Sequence, residues 1–256
     1  MIEVSGLCFS YGSREVIRDL SFVIPRGSLT AVLGCNGAGK STLFRCILGF
    51  LTDYRGNIRI EGDDIRGLSR KEMARRIAYI PQNSDPVFDY TVMDIVLMGA
   101  SGSLSPFRVP GSRERQTAEN ALRDLGIWEL RDRGVGHISG GERQLAFIAR
   151  AIAQNARMLI MDEPTANLDF GNQHRVLNKI QELRERDYTI LMSTHNPDHA
   201  LRFAEEILAM YGLGDYASGP TDTVLTAETI EKIYGIDAVV SEITVGSRPV
   251  RICIPE

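Results

Sequence analysis

The sequence predicts an α/β protein: a core with a mostly parallel sheet, an antiparallel β region near its N-terminal end, and an α-helical subdomain inserted into the core. Three observations carry that expectation. Short apolar runs that end in glycine or in carboxylates read as buried parallel strands, as at residues 29–33 before Gly34 and 158–161 before Asp162 and Glu163. Helical periodicity follows them, at 41–50 and 171–185. Between about residues 91 and 154 the spacing of apolar residues is helical almost throughout.

The elements follow in order. Alternating runs at Ile2-Glu3-Val4 and from Leu20 to Ile24, with turn residues at Tyr11-Gly12-Ser13 and Pro25-Arg26-Gly27, give antiparallel strands. Residues 29–33 are a buried strand, and 41–50 a helix burying Leu43, Phe44, Ile47 and Leu48. Strands are expected at 57–61 and 77–80, with a helix over 70–76 between them. Val92, Met93, Ile95, Val96 and Met98 mark one helix, and Ala118, Leu122 and Leu125 another. The Gly-, Ser- and Pro-rich stretch 101–112 between them is a loop. Strands return at 158–161 and 189–192 around the helix at 171–185. Near the end, Thr226 is placed as an N-cap, Leu225 and Ile230 as a hydrophobic staple, and Gly235 as the stop. The expected organisation is one domain over 1–256. Its core comprises 1–90 and 155–215, its helical subdomain 91–154, and a C-terminal extension of 216–256 packs on the core.

Composition bounds the function without naming it. The chain has 256 residues, 43% hydrophobic and 24% charged, enough to bury a core without disulfides or a structural metal. A net charge of -4 argues against a dedicated nucleic-acid binder. No window approaches the roughly 18 apolar residues of a membrane span, and the first residues, with Glu3 among them, show no secretory signal. Cys8, Cys35, Cys46 and Cys253 are scattered, so neither a zinc site nor a disulfide frame is expected. Only four of the 29 basic residues are lysines, yet position 40 is one of them.

Gly34-Cys35-Asn36-Gly37-Ala38-Gly39-Lys40-Ser41 is a phosphate-binding loop, G-x-x-x-x-G-K-[ST], set between a strand and a helix. Its glycines let backbone N–H groups converge on phosphate oxygens, and the helix N-terminus adds partial positive charge. Lys40 is expected to reach the β/γ-phosphates and Ser41 to ligate a divalent cation. The strand 158–161 delivers Asp162 and Glu163 at its carboxyl end, where ligands bind in open α/β sheets. Asp162 is expected to hold the metal through water, and Glu163 to polarise an attacking water. Ser139-Gly140-Gly141 opens a strongly helical stretch and forms a second anion-binding helix start. Two such ends are hard to explain within one nucleotide site, and make sense if two chains face each other.

Taken together, these motifs resemble the ATP-binding-cassette ATPases, members of the P-loop NTPase class, over essentially the full length. Residues 34–41 match the family's phosphate loop, 158–163 its Walker B strand, and Ser139-Gly-Gly its signature. The family usually has LSGGQ there, whereas this chain has Ile138-Ser-Gly-Gly-Glu142, which leaves the role of position 142 open. The resemblance places Tyr11 as the adenine-stacking aromatic and Gln82 as a ligand of Mg²⁺ and of the lytic water. It places residues 166–169, ending in Asp169, as the D-loop, and His195 as the switch histidine. The implied nucleotide contacts are Tyr11, Gly34, Asn36, Gly37, Ala38, Gly39, Lys40, Ser41, Thr42, Ser139, Gly140, Gly141 and Asp169. Ser41, Gln82 and Asp162 are the implied metal set, and Glu163, His195 and Gln82 the catalytic one. His137, His174 and His199 receive no role.

The implied mechanism is a head-to-tail homodimer that sandwiches two ATP and Mg²⁺, closes on the γ-phosphate and reopens on hydrolysis. The segment 81–99 and the tail (219–228, then Ile233-Tyr-Gly) resemble importers of iron-siderophores, haem, cobalamin and related chelates or oxyanions such as molybdate. The tip of 81–99 is expected to receive the coupling helix of a membrane subunit. The implied partners are two integral-membrane permease subunits and, indirectly, an extracytoplasmic binding protein. The implied location is peripheral, at the cytoplasmic face of the cell membrane. The alternatives are a soluble cassette ATPase acting on ribosome or DNA, and an exporter cassette. Cys35, inside the loop, is read as a small side chain at a variable position rather than a redox switch.

Overall fold

The computed structural model describes residues 1–82, 89–102, 104 and 109–256. The tip expected to meet a coupling helix, around 83–88, and the middle of the loop at 101–112 lie outside them. In chain order the first elements are β1 (Ile2–Tyr11), β2 (Arg14–Ile24), β3 (Leu29–Gly34), α1 (Lys40–Ile47), β4 (Arg55–Ile60), β5 (Asp63–Asp64), α2 (Arg70–Arg76) and β6 (Ile77–Ile80). Next come α3 (Val92–Ala100), α4 (Ser112–Asp124), α5 (Gly140–Ala153), β7 (Met158–Met161), α6 (Phe170–Glu185) and β8 (Thr189–Thr194). The last are α7 (Pro197–Phe203), β9 (Glu206–Gly212), β10 (Asp215–Pro220), α8 (Thr221–Val224), α9 (Ala227–Tyr234), β11 (Ala238–Val245) and β12 (Arg248–Pro255). They form two compact units, residues 1–68 with 184–256, and residues 69–183.

In the first unit, β1 lies between β2 and β4, antiparallel to both, and buries Ile2, Val4, Leu7 and Phe9. This is the antiparallel region expected from the early alternation. β3 buries all six of its residues between β8 and β9, parallel to both, with β10 antiparallel on β9. A strand flanked on both sides in this way reads as a continuous apolar run rather than an alternating one. Ala31 and Leu33 of β3, with Ile207 and Ala209 of β9, share a buried cluster with Leu225, Ile230, Ile233 and Ala238. Residues of the C-terminal extension thus share a buried cluster with β3 and β9.

In the second unit, β6 and β7 pair in parallel, Ile77 with Met158 through Ile80 with Met161. Here α3 crosses α5 so closely that a Cβ on Gly99 would collide with the backbone carbonyl of Arg150. Reciprocal N-caps start α2 (Ser69 with Glu72), α3 (Thr91 with Asp94) and α5 (Ser139 with Glu142).

Several boundaries shift for identifiable reasons. The helix expected at 41–50 begins at Lys40 and stops at Ile47, because Gly49 turns left-handed at φ 69° and Phe50 is left 65% exposed. The strand expected at 57–61 runs from Arg55 to Ile60, and Glu61 takes a positive φ of 54°. The strand at 189–192 continues to Thr194, still fully buried. The Thr226 cap and the Gly235 stop are where the sequence puts them: the Thr226 hydroxyl accepts from the Thr229 amide, and Gly235 sits at φ 68°. Beyond Gly235 the chain forms a two-stranded hairpin, β11 with β12, that the pattern reading did not resolve.

Candidate active site

The phosphate loop lies in the first unit. β3 ends at Gly34, which packs so tightly that a Cβ there would lie 2.7 Å from the Met210 carbonyl oxygen of β9. Gly37 and Gly39 hold φ of 85° and 100°, conformations that side chains disfavour. Gly37 has open space around its Cα, so its requirement is conformational; at Gly39 a side chain would also press on Val16. Gly39 is the N-cap of α1, and the first-turn amides after it have no intrahelical acceptor, which is the geometry that receives an anion. Lys40 is 6% exposed, and its ammonium donates to the Gly34 carbonyl at 2.6 Å and the Cys35 carbonyl at 3.2 Å, so it lies over the loop. Cys35, Asn36, Gly37 and Ser41 are exposed, Thr42 is half-buried, and Ala38 is buried. Tyr11 closes β1, 44% exposed, with its ring edge-on to Phe9 at 4.9 Å.

His195 follows β8 in the same unit and is exposed, next to α7. The Asn196 side chain caps α7 by accepting from the Asp198 amide at 2.9 Å. His199, one turn on, lies with its Nδ1 3.5 Å from the Thr194 hydroxyl. Burial pushes the His199 imidazole below its usual range, and the neighbouring His195 pushes it the same way.

The second unit carries the carboxylates. Asp162 is 6% exposed at the end of β7, and its amide donates to the Ile80 carbonyl at 2.9 Å. Gln82, just past β6, donates through Nε2 to the Glu163 carboxylate at 2.8 Å. Parallel pairing of β6 and β7 thus brings together two residues 81 positions apart in the chain. Glu163 itself sits in the left-handed region at φ 47°, and Asn167 at φ 59°. A bulky residue held there is backbone strain of the kind that clusters at functional sites.

Position 142 has a structural answer. Its carboxylate accepts from the Ser139 amide at 2.9 Å and the Ser139 hydroxyl at 2.8 Å, while the Glu142 amide donates back to that hydroxyl at 3.3 Å. Those bonds from the Ser139 amide and hydroxyl hold the Glu142 carboxyl below the usual carboxylate range. Glu142 is thus the third helical residue of a capping box, a pattern (Ser-x-x-Glu) that was readable in the sequence.

Asn172 is a residue the sequence reading missed. Its amide and side chain donate to the Asp169 carboxylate at 2.9 and 2.7 Å, and its side chain packs where a Cβ on Gly141 would have to go. A Cβ on Gly140 would meet Leu168 at 3.1 Å. Glycine at 140 and 141 thus lets the signature helix approach residues 168–172. The Asp169 carboxyl is held below its usual range, first of all by the Asn172 amide.

Ser41 in the first unit offers a hydroxyl, and Gln82 and Asp162 in the second an amide oxygen and a carboxylate, each an oxygen donor of the kind a hard divalent cation takes. Among the described residues no group of three or more His, Cys, Asp or Glu could hold a metal alone. All four cysteines are free.

A loop of left-handed glycines opening a helix, a glutamate at positive φ after a buried strand, and a second glycine-led helix start are features of a nucleotide-hydrolysing cassette. The chain matches the ABC transporter family model over residues 17–166 and belongs to that family, as an ATP-binding cassette ATPase. It is 34% identical over 244 residues to the ferric enterobactin transport ATP-binding protein FepC of Escherichia coli, covering 95% of this chain and 90% of that one. It is also 34% identical to the manganese transport system ATP-binding protein MntB of Bacillus subtilis, covering 91% and 92% of the two chains. A solved ABC transporter described as of the metal-chelate type, in an inward-facing conformation, superposes with a TM-score of 0.88 at 31% identity. That match covers 100% of this chain and 97% of the other.

Proposed function

We propose that this chain is the ATP-hydrolysing subunit of an importer for a metal ion or metal chelate, working with a separate membrane permease. The observation that carries the reading is its near-complete alignment with ATP-binding subunits of iron-chelate and manganese transport systems. Among the described residues, no helix is long and apolar enough to cross a membrane. The pore is placed in a second protein, with this subunit at the cytoplasmic face, by the family resemblance. The family resemblance of segment 81–99 favours a chelate (an iron-siderophore, haem or cobalamin) or an oxyanion as cargo.

In the proposed mechanism, the backbone at Gly37 and Gly39 and the ammonium of Lys40 hold the phosphates, and Tyr11 stacks on adenine. Ser41, Asp162 and Gln82 would hold Mg²⁺, whose charge offsets that developing on the phosphoryl oxygens. Glu163, oriented by the Gln82 amide, accepts the proton of the attacking water. His195 donates to the γ-phosphate. Ser139 and Gly141 of a second copy complete the site, so that loss of the γ-phosphate releases the closed dimer. Ser139 would then leave the Glu142 carboxylate for a phosphate oxygen, and Asp169, tied to Asn172, borders that contact.

The test is a pull-down of tagged Glu163→Gln protein with ATP from detergent-solubilised membranes. A polytopic permease among the captured proteins supports the importer. Ribosomal or DNA-associated partners without a permease overturn it and leave the ATPase standing.

A further inference from the structure

The C-terminal extension reaches back to the segment that bears His195 at two points. Tyr234, the last residue of α9, donates its hydroxyl to the His195 carbonyl at 2.7 Å. The backbone amide of Cys253, on β12, donates to the Asp198 carboxylate at 2.8 Å. These contacts hold the chain just after β8 and at the first turn of α7, bridging 39 and 55 positions of sequence.

The grip has a rigid base. Ile230 and Ile233 of α9 and Leu225 before it lie in the same buried cluster as Ala31 and Leu33 of β3, the strand that delivers the phosphate loop. Tyr234 and Cys253 pack against that cluster. The start of α9 is fixed by the Thr226 cap and its end by left-handed Gly235. Burial pushes the Tyr234 phenol well above its usual range, so it remains a protonated donor throughout the physiological range. His195, by contrast, is exposed and followed by a proline-started helix.

We infer that the C-terminal extension positions the switch histidine: the Tyr234 hydroxyl and the Cys253 amide fix the backbone of residues 195–198, and through it the direction of the His195 ring. Tyr234 is thus a positioning residue for hydrolysis. The inference rests on the proposed role of His195 toward the γ-phosphate. It gives the extension, which the nucleotide motifs leave unexplained, a part in the reaction.

The test uses the full chain and three readouts on Tyr234→Phe, which keeps the ring and removes one hydroxyl: steady-state ATPase kinetics, hydrogen exchange and thermal unfolding. A neutral hydrogen bond of ordinary strength predicts a fall in kcat of about fivefold. KM for ATP is expected to be unchanged, because the phosphate loop keeps its own bonds. Amide exchange is expected to quicken in 195–199, and the melting temperature to fall by no more than about 2–4 °C, the loss of one such bond. An unchanged kcat overturns the inference. So does a fall in kcat accompanied by a raised KM and a larger drop in melting temperature, which is general loosening of the core. His195→Ala, measured in parallel, separates the two layers. Wild-type turnover in that variant removes the role given to His195, whatever Tyr234→Phe does. Loss of turnover there with an unaffected Tyr234→Phe removes only the clamp.

Discussion

Lys40 is 6% exposed, with its ammonium bonded to two carbonyls of its own loop. An arginine fork is longer, planar and rigid, and cannot take up that compact arrangement. Lys40→Arg is therefore expected to lose ATP hydrolysis despite its unchanged charge, read by phosphate release. Glu163→Gln keeps the shape of the side chain but removes the proton acceptor; a fall in turnover of about 10²-fold or more is expected, since a positioned general base is worth 10²–10⁴. Turnover near wild type would remove Glu163 from that role. His199 carries a pH prediction. Its imidazole is held below the unfolded value of about 6.5. The unfolded chain therefore takes up a proton first as pH falls, and stability present above that value is lost below it. The melting temperature is expected to drop between about pH 7 and 5.5, and His199→Asn to flatten the drop.

At the scale of elements, the contact of α3 with α5 is decided by one missing methyl group. Gly99→Ala places its Cβ against the Arg150 carbonyl, which is backbone and cannot swing away. An overpacking cost of about 1–3 kcal/mol is expected, read by denaturant unfolding. Gly67→Ala, in open space and without a positive φ, is the control and should be nearly silent. Elements that carry their own punctuation were legible in advance. β6 and β7 are short apolar runs with sharp ends, and α9 has Thr226 and Gly235 at its termini. The hairpin of β11 and β12 was not resolved because most of β11 is exposed and its apolar residues do not mark a buried face. Its signal lay in the two-residue link Gly246-Ser247, with Gly246 at φ 66°, between paired Val245 and Arg248. Gln82, Glu163 and His195 were expected from the family's motifs, and the structure joins the first two by a hydrogen bond. Asn172 and Tyr234 were not, because the packing of Asn172 at Gly141 and the bond of Tyr234 to His195 join residues far apart in the chain.

At the scale of the whole molecule, Ser139 and its glycines form a second glycine-led helix start in addition to that of the phosphate loop. The proposed assembly is a dimer that forms with ATP and parts without it. Glu163→Gln is expected to elute as a dimer in ATP and as a monomer in its absence, measured by size exclusion with light scattering. A nucleotide-independent elution position would overturn the sandwich. Adding Gly141→Ala, whose Cβ would displace the Asn172 side chain, is expected to abolish the shift while leaving nucleotide binding at the phosphate loop.

Glu163 stands in the left-handed region, where an ordinary side chain costs about 1 kcal/mol and asparagine much less. Selection for turnover and selection for stability therefore pull in opposite directions at this one position. Glu163→Asn should melt at a higher temperature than the parent and hydrolyse almost nothing. A library screened only for thermal tolerance would enrich such inactive variants, and a gene copy freed from the need to work would be expected to drift toward them.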